Sequence, residues 1–202
     1  MKLICIGRNY AAHAAELNNK VPKKPLIFMK PASALASSSQ IPYPDFTNDL
    51  HYELEVLLFI SKEAKNVSLE DAPNYYDHIG LGIDFTARDV QQKCKEKGHP
   101  WERAKSFDNS AIIGQRMDKE KFDLENLKFS LLLNDKEVQS GNTKDLIFDF
   151  NVLIQEVSKY FTLNVGDIIF TGTPAGVGPV KPGDRLQASL EEELYLNLTI
   201  IQ

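Results

Sequence analysis

Long apolar runs are missing from this chain. The longest uninterrupted one, Val56 to Ile60, is five residues, against the ~20 that a membrane-spanning helix needs. The apolar stretch from Met1 to Gly7 is likewise too short for a signal peptide, so a soluble, cytoplasmic protein with no membrane partner is expected. Cysteine is scarce: Cys5 and Cys94, the two present, have no metal-binding or redox spacing, which excludes a disulfide framework and suits reduced thiols. Basic charge is in deficit. Lys and Arg number 23 against 28 Asp and Glu, a formal net charge of −5, which argues against a phosphate-backbone binder and points away from nucleic acid toward a small molecule or a protein. No repeat, low-complexity tract or Pro/Gly/Ser linker divides the chain, so 1–202 is expected to be a single folding unit. The 202 residues, 43% hydrophobic and 25% charged, suffice for an ordinary globular core.

The order of elements is informative. Lys2–Ile6 reads as a strand, and the alanine-rich Asn9–Leu17 as a short helix with Tyr10, His13 and Leu17 on one stripe, ended by Pro22 and Pro25. Leu26–Met29 reads as a strand and Ser37–Asp49 as a loop. His51–Ile60 reads as one strand, with His51, Glu53 and Glu55 on one face and Tyr52, Leu54 and Val56 on the other. Ser68 and Asp71 resemble a capping box, although Pro73 limits any helix there. Thr86–Lys97 reads as a helix stopped by Gly98, and Phe129–Leu133 with Lys136–Gln139 as a β-hairpin turning at Asn134-Asp135. Phe150, Leu153, Ile154, Val157 and Phe161 mark an amphipathic helix, followed by a strand over Asp167–Thr171 and a Gly/Pro-rich run of tight turns. Strands outnumber helices and do not alternate with them regularly, which disfavours a doubly wound parallel sheet and fits a mostly β, α+β fold.

Three features carry chemistry. Glu53 and Glu55, on one face of a strand that runs into the apolar core, lie roughly 6 to 7 Å apart and repel unless a cation sits between them. The same face can equally be a solvated one. Asp84 ends the apolar run Ile79–Ile83, a costly place for a lone carboxylate. Three carboxylates without a cysteine or histidine cluster form a hard, oxygen-only ligand set that suits Mg²⁺ or Mn²⁺ better than zinc. His13 and Glu16 are spaced i, i+3, so the carboxylate can orient the imidazole as a base for water; a plain surface pair has the same spacing. Lys105, among aromatic neighbours, is either a partly buried stabiliser of an oxyanion or enolate or one half of a salt bridge. Thr171–Gly178 matches neither glycine-rich nucleotide motif, which removes nucleotide binding, but its backbone N–H groups or the Thr173 hydroxyl can approach a small anion.

Ile4–His13, Glu53-Leu-Glu55, Asp84–Gln91, Trp101–Lys105, Gln139–Thr143 and Thr171–Gly178 together resemble the fumarylacetoacetate hydrolase family, most nearly its short acylpyruvate hydrolases, over nearly the whole chain and in the right order. The resemblance implies a mixed β-sandwich roll with peripheral helices, a homodimer, and Mg²⁺ or Mn²⁺ held by Glu53, Glu55 and Asp84. It further implies that His13 and Glu16 form a water-activating dyad on a mobile lid. Lys105, Arg88, Gln91 and Thr173 would contact a small 2-oxo acid substrate. Two departures stand out: Pro73 falls in a segment usually helical, and Leu190-Glu-Glu-Glu lacks the glycine common before the last strand.

The activity so implied is hydrolysis of a carbon–carbon bond in a 3-acylpyruvate, giving pyruvate and a carboxylic acid. Oxaloacetate decarboxylation, keto–enol tautomerisation and isomerisation of unsaturated dicarboxylates share the same enolate chemistry and stand as alternatives. A non-catalytic metal-binding domain is the remaining class, and it has no use for a His13–Glu16 dyad or a lysine beside the metal.

Overall fold

The structure, a computed structural model, describes residues 1–16 and 20–202. Among the described residues three sheets form. The largest runs in the order β2 (Leu26–Lys30), β1 (Leu3–Gly7), β12 (Ile168–Phe170), β5 (Leu54–Ile60), β6 (Tyr76–Asp84) and β8 (Ala111–Ile113), with β9 (Met117–Asp118) also on β6. A second runs β11 (Lys136–Asn142), β10 (Lys128–Leu133), β14 (Arg185–Leu190), β15 (Glu193–Ile201) and β3 (Gln40–Pro42). A small third sheet joins β13 (Gly178–Pro179), β4 (Leu50–Tyr52) and β7 (Thr86–Ala87). Pairing is mostly antiparallel, with β1 parallel to β12 and β3 parallel to β15. The helices α1 (Ala11–Glu16), α2 (Arg88–Lys97), α3 (Glu102–Lys105) and α4 (Phe150–Tyr160) are short. None of the described helices is long and apolar enough to cross a membrane. Cys5 and Cys94 are buried and free.

β5 explains the architecture. Every residue of it is buried, and its period of two sends Leu54, Val56, Leu58 and Ile60 into the main core while Leu57 and Phe59 enter a second cluster with Leu3, Ile168 and Phe170. Each such side chain, fully buried, stabilises the fold by ~1.5–3 kcal/mol. Across the main core α4 lays down Phe150, Leu153, Ile154 and Val157, all buried, and its first turn is capped by Asp149, whose carboxylate accepts from Val152 N at 2.8 Å. The β10–β11 hairpin turns at Asn134 and Asp135, both at positive φ, as the asparagine–aspartate pair allows.

Several sequence expectations need correction. His51–Ile60 is two strands: the chain leaves the small sheet at Glu53 and enters the large one at Leu54. Its acidic face is not solvated, since Glu53 and Glu55 are 5% and 2% exposed. The presumed loop 37–49 contains β3, which satisfies the open edge of β15. Thr86 and Ala87 are not helical but pair with His51 and Leu50, so α2 begins at Arg88; Gly98 ends it in the left-handed region as expected. Ser68 and Asp71 do bond to each other, Oγ to Oδ2 at 2.7 Å, yet only a 3₁₀ turn over Ala72–Tyr75 follows, because Pro73 lacks the N–H a longer helix would use. The missing glycine before the last strand is replaced by Glu191 and Glu192, both at positive φ. Leu17, assigned to the helical stripe, lies outside the described residues.

Candidate active site

The carboxylates converge because adjacent strands carry them. Glu55 on β5 pairs with Gly82 on β6, Asp84 is the last residue of β6, and Asp84 N donates to Glu53 O at 2.9 Å. Ligand oxygens of Glu53, Glu55 and Asp84 lie within 4.8 Å of one another, and all three residues are buried. Lys105, expected to be half-buried, is 3% exposed; its Nζ donates to Glu53 Oε2 at 2.8 Å and Asp84 Oδ2 at 2.7 Å. Arg88 meets Glu53 Oε1 at 2.5 Å and donates to Gln91 Oε1 at 2.9 Å, so in this structure two of the three substrate-binding candidates are linked, Arg88 directly and Gln91 through it, to the acidic cluster. Thr86 Oγ1 also donates to Glu53 Oε1.

Lys30 was invisible in the sequence, where it merely ends an apolar strand before a proline. It is fully buried, with Nζ 2.8 Å from Asp84 Oδ1 and bonded to the carbonyl oxygens of Phe85 and Lys105. It thereby fixes both a carboxylate and the end of α3 that carries Lys105. The Lys30 ammonium is close to Asp84 Oδ1 but not aligned for a hydrogen bond, so that buried oxygen has charge beside it and no directed donor.

The electrostatics separate the three acids. Burial pushes the Glu53 carboxyl up, but the charges of Lys105 and Arg88 outweigh it and hold the group well below the usual carboxylate range. Glu55 goes the other way: burial, then the charges of Asp84 and Glu53, push it well up, opposed by the Gly172 N–H at 2.7 Å and the more distant Lys105. Lys105 is penalised by burial yet raised to about 12 by Asp84 and Glu53.

This donor set fits a divalent ion. It is oxygen-only, buried, closely spaced, and includes an acid with no cation of its own and an oxygen with no directed donor. Lys30, Lys105 and Arg88 already match the three carboxylates in number. A divalent ion would therefore leave the centre with surplus positive charge, a setting for an anionic ligand.

His13 lines the same cavity and is buried, whereas Glu16 is exposed. His13 Nδ1 is 3.3 Å from Glu16 Oε2; an ionised carboxylate only accepts, so Nδ1 is the donor, and in the neutral imidazole the lone pair is then on Nε2. Glu16 also accepts from Gly176 N at 3.0 Å. Gly176 sits at φ 95°, and a Cβ there would lie 2.1 Å from Val138 O, so the turn admits no side chain. Thr173, from the same turn, lines the cavity with Gln91, Lys95, Arg8 and Trp101. The cavity is partly open to solvent.

Known proteins resemble this chain over nearly its whole length. Residues 2–200 match the fumarylacetoacetate (FAA) hydrolase C-terminal family. The mitochondrial oxaloacetate tautomerase of Bos taurus is 42% identical over 200 residues, covering 98% of this chain and 90% of the relative. The mitochondrial oxaloacetate decarboxylase of Dictyostelium discoideum is 39% identical, covering 94% and 88%. The crystal structure of fumarylpyruvate hydrolase from Pseudomonas aeruginosa, in complex with Mn²⁺ and pyruvate, superposes with a TM-score of 0.94 at 33% identity, covering 100% of this chain and 89% of that one. With its strand-rich, curled-sheet fold and its carboxylate centre, the chain belongs to the fumarylacetoacetate hydrolase family of enzymes.

Proposed function

We propose that this enzyme moves a proton on a small 2-oxo acid through its enolate, with keto–enol tautomerisation of oxaloacetate as the reaction. The observation that carries the reading is one cavity that joins a buried, cation-rich carboxylate centre to a single His–carboxylate dyad. Mg²⁺ or Mn²⁺, held by Glu53, Glu55 and Asp84, would supply Lewis-acid polarisation of the 2-oxo group. In the enol-to-keto direction the enol oxygen loses a proton, the double bond moves from C2–C3 to C2–O, and C3 gains a proton; no carbon–carbon σ bond breaks. His13 Nε2 exchanges that proton, and Glu16 steadies the imidazolium formed in passing. Lys105 lends positive charge to the oxygen on which the enolate develops. Arg88, Gln91 and Thr173 hold the substrate carboxylate end, and α1 covers the cavity while Glu16 rests on Gly176.

The second reading is hydrolysis of a 3-acylpyruvate, favoured by the likeness to fumarylpyruvate hydrolase. There His13 would take a proton from water, the oxygen would add to the distal carbonyl, and the carbon–carbon bond would break to pyruvate and a carboxylic acid. The homodimer belongs to the same proposal, and light scattering on the eluting protein tests it.

Purified protein given freshly dissolved enol-oxaloacetate, keto-oxaloacetate and acetylpyruvate, each with Mg²⁺, Mn²⁺ or EDTA, separates the reactions. The expected result is metal-dependent loss of the enol absorbance without pyruvate release. Faster pyruvate release from acetylpyruvate places hydrolysis first, and from oxaloacetate, decarboxylation. His13→Ala should abolish turnover with Mn²⁺ binding intact; near wild-type turnover in that variant rules out the proton-transfer role.

A further inference from the structure

Gln139 belongs to the Gln139–Thr143 motif yet has no part in the chemistry above. It lies on β11, in the second sheet, 1% exposed, and its side chain crosses to the large sheet. Its Oε1 accepts from Leu54 N at 2.9 Å, on the residue between Glu53 and Glu55. Its Nε2 donates to Pro174 O at 3.0 Å and to Thr173 Oγ1 at 2.8 Å. The two backbone partners leave no freedom in which end of the amide is which: a backbone N–H needs the oxygen and a backbone carbonyl needs the nitrogen. Thr173 Oγ1 therefore receives a hydrogen bond, and its own hydrogen must point elsewhere. Among the described residues that hydrogen meets no acceptor, although Thr173 is nearly fully buried and lines the cavity with Glu53, Glu55 and Asp84.

We propose that Gln139 is a positioning residue that fixes the Thr173 hydroxyl as a hydrogen-bond donor into the cavity, toward the carboxylate or oxo oxygen of the bound acid. The proposal rests on the reading of the cavity as a 2-oxo acid site. The amide acts as a rigid relay. One end is anchored at Leu54, between Glu53 and Glu55, and the other sets both the place and the polarity of the turn opposite. The turn is pinned at its start as well: Asn9 Nδ2 donates to Thr171 O at 2.8 Å. Glu16 reaches the turn's far end at Gly176, so the dyad also rests on a segment whose position Gln139 helps set. Where it meets the oxo oxygen, a hydroxyl locked as donor favours that acceptor over an ammonium group, which can only donate, and so selects oxo acids over their amino counterparts.

Calorimetric titration of pyruvate into protein saturated with Mn²⁺ tests this, using wild type, Thr173→Val, Thr173→Ser, Gln139→Glu and the Gln139→Glu/Thr173→Val double variant, with a thermal melt on each. A carboxylate at 139 can still accept from Leu54 N but has no hydrogen for Thr173, so the hydroxyl turns to donate to it. Loss of one hydrogen bond to a charged acceptor weakens binding by about 10-fold or more. Thr173→Val and Gln139→Glu should each show that loss, the double variant should be no weaker than Thr173→Val alone, and Thr173→Ser should bind nearly as wild type. Where Gln139→Glu fails to fold, Gln139→Asn, too short to span both anchors, takes its place in the cycle. A folded Gln139 variant with wild-type affinity, or penalties that multiply in the double variant, overturns the proposal and leaves the cavity reading standing. Wild-type affinity in Thr173→Val removes the hydroxyl from the site and overturns it too. Absence of pyruvate binding by wild type, with Mn²⁺ still bound, brings down the cavity reading itself and the proposal with it.

Discussion

Two buried acids at opposite ends of β12 show how differently one fold treats the same functional group. Asp167, just before the strand, is fully buried, and its carboxylate accepts from Lys2 N at 2.7 Å, Asn164 N at 2.8 Å and the Lys2 ammonium at 2.5 Å. Burial alone would raise its pKa, but those donors win and hold it below the usual range. Glu55, on the neighbouring β5 beside the far end of β12, is 2% exposed and receives one backbone N–H, from Gly172. Two like charges face it, and its pKa is driven well up. The chain completes Asp167 with its own groups. Glu55 is left incomplete, and a buried acid left so is a mark of a site for something the chain does not contain.

The largest effect should come from Glu55→Gln. It keeps the shape and removes the charge, so turnover should fall by ~10³-fold or more and the stabilisation conferred by Mn²⁺ should vanish. Melting without metal should stay level or rise, because a buried carboxyl crowded by two like charges is replaced by a neutral amide of the same shape. A large loss of metal-free stability would erase the contrast with Asp167. Next is Lys105→Met, with a loss of ~10²–10³-fold in turnover, read by steady-state kinetics, and weakened folding as Glu53 and Asp84 lose a shared cation. The smallest is Asp167→Asn, at ~1–3 kcal/mol of stability near neutral pH and no change in Mn²⁺ binding. Its sign with pH is fixed. The folded pKa of Asp167 is depressed, so its contribution is fully present above the unfolded value of ~3.9 and is lost as pH falls through the folded value. Urea unfolding stabilities of wild type and variant should therefore draw together as pH falls below ~3.9, and a difference that stays constant with pH would show that Asp167 acts through something other than its charge.

Much of this was legible in the sequence because it was periodic or local. The Glu53–Glu55 spacing, the α4 stripe, the Asn134-Asp135 hairpin and the Gly98 stop all follow from patterns of two, of 3.6, or of backbone tolerance. The i, i+3 spacing of His13 and Glu16 brought them together as expected. What depended on distant partners was hidden. Lys30 carries no local sign that it faces Asp84, and the change of sheet at Glu53 depends on Thr86 and Gly178 arriving from elsewhere to pair with β4. Arg88 and Gln91 were read as ligand contacts, but their mutual bond and the ion pair with Glu53 became visible only once α2 was placed.

The full burial of β5 has a consequence for how the chain assembles. Side chains alternate along it, so a slip of one residue against β6 would exchange Glu55 for its apolar neighbours and drive a carboxylate into the main core, at a cost of several kcal/mol. The acid thus polices strand pairing before it ever meets a ligand. It also interrupts what would otherwise be seven consecutive apolar residues, Leu54 to Ile60, a length and composition suited to cross-β stacking. A leucine at this position would cost more than the reaction: it would remove the gatekeeper from the longest apolar stretch of the chain.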